Sequence, residues 1–322
     1  MNILISSAGR RVSLVKAFKK ELAKLYPGAK IIASDSNPEL SAACNAADSY
    51  FKVPRVADKD YVKELINKCL EHKVRLLIPT IDTELAILAQ EKEQFLANNI
   101  IPVISDNDLI SKCRDKRLIH EFFTANKIAV AKEYSKQNYT LPMFLKPWDG
   151  SRSIDTFLIK KESDLNEYHL NHEKLMFLEY LNHDHYDEYT CDLYYGKDNF
   201  LKCVVPRKRL SVRDGEVNKG LTERNSLIDY IKNRLNFVEG AVGCLTVQFF
   251  KHKTLDKVYG IEINPRFGGG YPLSYLAGAN FPKWIIEEYL LEKKLTEKFD
   301  SWESNLLMIR YDAEILVHDY KS

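Results

Sequence analysis

Short apolar runs alternate with amphipathic stretches through the first third of this chain, and few folds accept that order. Residues 2–6 read as a strand, 12–25 as an amphipathic helix, and 30–34 as a second strand ending at Asp35. Residues 61–72 have helical spacing, 76–79 strand character, 83–98 helical spacing again, and 101–104 the pattern of a further strand. Parallel strands need crossover helices, so this alternation predicts a parallel sheet covered on both faces. Ligands on such sheets bind outside the carboxyl ends of the strands. The segments there are Ser6-Ser7-Ala8-Gly9-Arg10, Asp35, and Thr80-Ile81-Asp82-Thr83-Glu84. Ser, Asp and Thr at such turns are also ordinary helix caps, and Asp82 and Thr83 are assigned to capping on that ground.

From Cys113 onward the pattern changes. Residues 115–126 read as a helix, 144–146 as a strand, 156–159 as another, 162–172 as a helix and 175–180 as an apolar strand. Strands then dominate, at 189–195, 200–205, 243–250 and 258–264, with helices at 226–235 and 282–290. Strands in hairpin succession with helices to one side give an α+β unit. The expected fold class is therefore α/β followed by α+β.

The second unit holds the most informative stretch, residues 258–272. Val258, Gly260, Glu262 and Asn264 alternate with Tyr259, Ile261 and Ile263, the period of a strand with one apolar face. Glu262 and Asn264 share the other face. A carboxylate beside an amide oxygen suits a hard cation such as Mg²⁺, and Arg266 just beyond suits phosphate. A hairpin through residues 251–257, centred near Leu255, would set Gln248 opposite Glu262 and bring a third oxygen to the group. Gly268-Gly269-Gly270 then allow a close backbone approach.

Phosphate also needs cations. Lys146 ends a strand and opens a loop with Gly150, Ser151 and Ser153, which reads either as an ordinary turn or as a flap of amides and hydroxyls over phosphates. No Gly-x-x-x-x-Gly-Lys-Ser/Thr element is present, so this is not a P-loop. Lys116, at a helix start in Arg114-Asp115-Lys116-Arg117, reads on its own as a solvated side chain.

An ordered series now stands out: Asp115-Lys116; Phe144-Leu145-Lys146-Pro147 with its loop; Phe177-Leu178-Glu179-Tyr180-Leu181; Glu188 to Asp192; Gln248; and Glu262-Ile263-Asn264-Pro265-Arg266. The series resembles the ATP-grasp superfamily, especially the branch of the carbamoyl phosphate synthetase large subunit and biotin carboxylase. It implies a parallel-sheet domain ahead of the ATP-grasp part over residues 1–112, an ATP-grasp small subdomain and hinge over 113–181, and a metal-bearing subdomain over 182–322. It further implies that Lys116 and Lys146 contact ATP phosphates, with Ser151 and Ser153 in the covering loop. Glu179 and Leu181 would meet the adenine through their backbones, flanking Tyr180, and Glu188 would bind the ribose. Gln248, Glu262 and Asn264 would hold Mg²⁺ (Mn²⁺ being a substitute), with Glu262 bridging two ions, and Arg266 would stabilise the transferred phosphoryl group.

The activity implied is a stand-alone ATP-dependent ligase that activates a carboxylate as an acyl phosphate and passes it to an amine. Phosphoryl transfer of this kind runs on positioning and charge, without a protein nucleophile. Arg207 and Arg209 fall on one strand face with Lys208 on the other, and read either as the carboxylate's anchor or as a solvated charged loop. The chain ends soon after Arg310-Tyr311, so carbamoyl phosphate synthesis by this chain alone is not expected. A catalytically silent ATP-binding subunit is the alternative. A dinucleotide-dependent dehydrogenase is disfavoured because the first strand–helix turn has Gly9 alone.

A net charge of +2 offers no general attraction for nucleic acid or membrane, so small-molecule carboxylate and amine partners are expected, and a homodimer is allowed. The six cysteines are scattered with no Cys-x-x-Cys pair, which suggests neither zinc nor disulfides and a reduced cytoplasmic setting.

Overall fold

The computed structural model describes residues 1–150, 154–213, 215–318 and 320. The first strands are β1 (Asn2–Ser6), β2 (Ile31–Asp35), β3 (Ser49–Lys52), β4 (Val74–Pro79) and β5 (Ile101–Pro102). They form a wholly parallel sheet in the order β3-β2-β1-β4-β5. Ile3, Leu4 and Ile5 of the central β1 are fully buried because helices cover both faces. Ile3 and Ile5 meet Leu14, Val15, Phe18 and Leu22 of the helix Val12–Leu25, while Leu4 meets Tyr61 and Leu65 of the helix Tyr61–Glu71 and Leu85 of the helix Asp82–Gln90.

Two more sheets follow. Their strands are β6 (Ala129–Val130), β7 (Glu133–Tyr134), β8 (Met143–Pro147), β9 (Phe157–Ile159), β10 (Leu175–Glu179), β11 (Tyr186–Tyr195), β12 (Leu201–Arg213), β13 (Glu216–Thr222), β14 (Gly243–His252), β15 (Val258–Asn264) and β16 (Leu307–Ile309). The smaller sheet runs β7-β10-β8-β9, and the larger β16-β13-β12-β11-β14-β15-β6. One face of the larger sheet packs Leu193, Leu245, Val247, Phe249 and Ile263 against Phe123 and Ile231. Elsewhere Tyr194, Val205, Phe267, Tyr271, Phe281 and Trp284 join the core under β1, and Phe18 meets the Phe267 ring edge-on at 5.8 Å. This shared core locks the N-terminal layer onto the larger sheet.

Several elements differ from expectation for identifiable reasons. The helix expected over 83–98 is two helices, Asp82–Gln90 and Lys92–Ala97, separated at Glu91. The one expected over 162–172 is a 3₁₀ turn, Glu162–Asp164, and a short helix, Glu167–Asn171. β12 runs on to Arg213 and turns back into β13 near Gly215, whose φ of +76° suits glycine. Arg207 and Arg209 therefore lie on a strand rather than in a loop.

The strict alternation of residues 258–264 is also broken. Gln248 pairs with Glu262 but Phe249 pairs with Gly260, so Ile261 is the extra residue of a β-bulge. Val258 consequently faces the same core as Ile263, while the Tyr259 ring turns the other way against Tyr186 at 5.7 Å. Gly260 sits over Phe123, where a Cβ would lie 2.6 Å from the ring.

Candidate active site

Antiparallel pairing places alternate residues of neighbouring strands on one face. Thr190 stands opposite Gln248, Gln248 opposite Glu262, and Thr246 opposite both Asp192 and Asn264. Glu262 Oε1 accepts hydrogen bonds from Gln248 Nε2 and Asn264 Nδ2, both at 2.9 Å. The two amide oxygens accept from arginines, Gln248 Oε1 from Arg209 Nη1 at 3.4 Å and Asn264 Oδ1 from Arg266 Nη2 at 3.3 Å, and Glu262 Oε2 accepts no hydrogen bond from the described residues. Three side-chain oxygens of this kind fit a hard cation. Among the described residues no group of three or more His, Cys, Asp or Glu is placed to hold a metal. With one carboxylate and two amides, an ion here needs further oxygens, such as those of a phosphate.

Two lysines face this shelf. Lys116 starts the helix Lys116–Ala125 and is 9% exposed, so it is buried rather than solvated. Its Nζ donates to the Gly150 carbonyl and its backbone N–H to the Trp148 carbonyl, which ties the helix start to the loop after β8. Lys146 on β8 is buried as well, and burial pushes its ammonium down to about 8, with Glu262 opposing the shift and Lys116 adding to it. Glu262 likewise supports the charge of Lys116 against the burial that lowers it. The His120 imidazole beside them is pushed down to about 4, first by burial and then by both lysines. Ser151 and Ser153 lie outside the described residues.

Glu179 ends β10, and its backbone N–H bonds the Lys132 carbonyl at 2.8 Å; Tyr180 and the buried Leu181 continue beyond the strand. Nearby, Tyr186 meets Phe250 and Tyr259, a set of rings that local sequence reading missed because each looks like ordinary strand composition. Burial, then Tyr259, then the Glu179 charge push the Tyr186 hydroxyl up to about 12. Glu188 accepts from Arg209 Nη1 at 2.6 Å, and burial raises its carboxyl despite that guanidinium.

Arg207 holds a different position from the one its partner Arg209 suggests. It is 1% exposed and grips Asp192 with Nε at 2.7 Å and Nη2 at 3.0 Å. Asp192 also accepts from the hydroxyls of Ser274 and Thr246. The remaining nitrogen, Nη1, has no partner and presses on Gly270, where a Cβ would lie 2.2 Å away. A Cβ at Gly269 would lie 2.6 Å from the Glu216 carboxyl carbon. Packing against the buried, ion-paired Arg207 therefore demands glycine at 270, whereas at 269 the neighbour is the end of a flexible, partly exposed side chain that can move away.

Arg266 reaches across to the N-terminal layer. Its Nη2 bonds Asp82 Oδ2 at 2.6 Å and Asn264 Oδ1 at 3.3 Å. Asp82 thus makes an interdomain ion pair, and its helix has no side-chain cap, contrary to the capping role expected for it. Arg10, Arg11, Asp82, Thr83, Glu216 and Arg266 are among the residues around a cavity of about 590 Å³ that also takes in Lys116, Gln248, Glu262 and Asn264. Arg11 and Glu216 had no local signal beyond their closeness to a strand's carboxyl end and to a turn.

Comparison with known proteins agrees with this architecture. Residues 3–104 match the family described as the PylC-like N-terminal domain, and residues 171–308 match the one described as ATP-grasp in the biosynthetic pathway with Ter operon. No curated protein matches the sequence. The biotin carboxylase domain dimer of Hydrogenobacter thermophilus 2-oxoglutarate carboxylase, solved with MgADP, ADP and bicarbonate, superposes with a TM-score of 0.72 at 14% identity, covering 95% of this chain and 73% of that one. N5-carboxyaminoimidazole synthetase from Staphylococcus aureus, complexed with ADP, gives 0.71 at 18% identity over 92% of this chain and 78% of that one. The L-amino acid ligase of Bacillus licheniformis gives 0.66 at 15% identity, covering 90% and 74%. The fold is a parallel-sheet domain joined to an ATP-grasp fold, with residues 3–104 similar to PylC-like N-terminal domains and residues 171–308 similar to the ATP-grasp family named above.

Proposed function

We propose that the chain is an ATP- and Mg²⁺-dependent carboxylate–amine ligase. A small-molecule carboxylate would attack the γ-phosphoryl group of ATP to give an acyl phosphate and ADP. An amine would then displace phosphate to leave an amide. The observation that carries this reading is the oxygen shelf of Gln248, Glu262 and Asn264, with Lys116 and the buried Lys146 in the electrostatic reach of Glu262.

In this reading Lys116 and Lys146 hold the phosphates, the backbone of Glu179 and Leu181 meets the adenine beside Tyr180, and Tyr186, Phe250 and Tyr259 line the same end. Glu188, already oriented by Arg209, takes the ribose hydroxyls. Gln248, Glu262 and Asn264 would hold Mg²⁺, which when bound neutralises phosphate charge. Arg266, oriented by Asp82, stabilises charge on the transferring oxygens. The three units 1–112, 113–181 and 182–322 would then supply the substrate roof, the phosphate lysines and the metal shelf. Likeness to enzymes solved with ADP supports the nucleotide, and the domain dimer among them supports a homodimer. Among the described residues no helix is long and apolar enough to cross a membrane; a cytoplasmic setting is proposed with the small-molecule substrates.

The test is ADP release from ATP and Mg²⁺ with arrays of carboxylates, each with and without amines. Glu262→Gln should abolish turnover while leaving the circular dichroism spectrum unchanged. Full activity in that variant refutes the metal shelf, and nucleotide binding without ADP release on any acid indicates a silent subunit.

A further inference from the structure

Most arginines around the two cavities can be matched with their partners, whereas the guanidinium groups of Arg10, Arg11 and Arg114 make no hydrogen bond to a described residue, Arg10 being exposed. Arg207 is held by Asp192, Arg209 by Glu188, Arg266 by Asp82, and Arg310 by Glu216 at 3.1 Å and the Val217 carbonyl at 3.2 Å. The Arg11 guanidinium has an ion pair but no hydrogen bond. Glu216 Oε1 is 4.0 Å away, beyond hydrogen-bonding distance, while the other oxygen of that carboxylate is bonded to Arg310. No hydrogen bond to a described residue ends on the Arg11 guanidinium, although the side chain is only 19% exposed.

A largely covered cation without a direct hydrogen bond is held at some cost, although the Arg11 nitrogens are not among the fully buried unpartnered atoms. Burial, followed by the neighbouring Arg266, pushes Arg11 down to about 10, against the pull of Glu216 and Asp82. Among the described residues this guanidinium has only the 4.0 Å ion pair with Glu216 Oε1, and no hydrogen bond completes it. Position suggests what does. Arg11, Glu216, Gly268 and Gly269 border both the main cavity and a second one of about 260 Å³ under the loop after β1. Arg266 stands next to Asn264 on the shelf strand, whereas Arg11 comes from the opposite layer, at the junction of the two cavities.

Resting on the ligase reading above, we propose that Arg11 binds a second anionic group on the carboxylate substrate, so that the enzyme activates acids carrying two anionic groups. One carboxylate lies at the shelf beside Arg266 and reacts. The other, a carboxylate or a phosphonate-like group, docks on the planar fork of Arg11, whose donors match either geometry. Arg207 and Arg209, the two arginines that strand alternation singles out, are already engaged and do not serve this purpose.

The experiment measures binding by calorimetry, with a non-hydrolysable ATP analogue and Mg²⁺ present. Succinate, glutarate, adipate, glutamate and phosphonoacetate are compared with butyrate, valerate and glutamine, on the wild type, Arg11→Gln and Arg11→Lys. At least one doubly anionic acid should bind the wild type about 10- to 100-fold more tightly than its singly charged counterpart, the range for a charge-assisted contact. Arg11→Gln should erase that preference and Arg11→Lys restore part of it, with unchanged melting as the control for folding. A carboxylate arm that responds where the phosphonate arm does not identifies the second group as a carboxylate; the reverse identifies a phosphoryl-type group.

A preference that survives in Arg11→Gln, or no preference in the wild type, overturns the proposal. ADP release driven equally by singly charged acids in wild type and variant also overturns it, while leaving the ligase reading intact. Discrimination that depends on Arg11 without ADP release on any acid supports the anion site and removes the ligase reading.

Discussion

Arg207 offers the sharpest separation of a structural arginine from a substrate-binding one. Asp192→Ala leaves its guanidinium, 1% exposed, without a counter-charge in the core. Removing one member of a buried ion pair costs about 3–5 kcal/mol. Asp192 also accepts from the Ser274 and Thr246 hydroxyls, and losing those bonds adds about 1 kcal/mol. The sum is a large share of the roughly 5–15 kcal/mol that holds a folded domain together. Thermal unfolding should therefore fall by on the order of 10 °C. The double variant Asp192→Leu with Arg207→Met removes both charges and keeps the volume, so it should regain most of the loss, because apolar replacement of a buried pair is often neutral. Scanning calorimetry on the wild type, Asp192→Leu, Arg207→Met and the double variant closes the cycle. A loss below about 1 kcal/mol in Asp192→Ala, or an Arg207→Met protein of full stability with a raised KM for carboxylate, would refute the structural assignment and return Arg207 to the substrate.

Lys146 is pushed down to about 8, so the free protein loses this charge as pH rises from 7 to 9; ATP affinity measured by titration should fall across that range, and Lys146→Arg should flatten the profile. The stability contribution runs the other way. Below pH 8 the folded state holds a buried charge at a cost, and between about 8 and the ordinary value of 10.5 the unfolded chain binds more protons, so this group's contribution to stability rises with pH. Gly260→Ala should destabilise by about 1–3 kcal/mol in denaturant unfolding, because its Cβ would lie 2.6 Å from the fully buried Phe123 ring; recovery in a Phe123→Leu background checks that the clash is the cause.

What could be read in the sequence follows from how local each determinant is. Gln248 opposite Glu262 was within reach because a hairpin's register follows from its centre, and both residues are oxygen-bearing on otherwise apolar strands. The bulge at Ile261 was not, since it accompanies a close fit of Gly260 against Phe123, a helix residue far away in sequence. β13 escaped notice although Gly215 marked the turn, because β12 ends in Arg, Lys and Ser, whose side chains suit a half-exposed strand and a charged loop equally. Asp82 shows the limit most clearly. An aspartate at a helix start satisfies the local rule for a cap, and only the folded chain shows that its carboxylate is taken by Arg266, 184 positions away. Arg11 is the same case, its guanidinium meeting Glu216 at 4.0 Å without a hydrogen bond to any described residue. Motifs thus single out the residues proposed to meet ATP, since each sits in a recognisable strand or loop segment, whereas the residues proposed to face the other substrate come from separate layers and become visible only when the shared core under β1 brings those layers together.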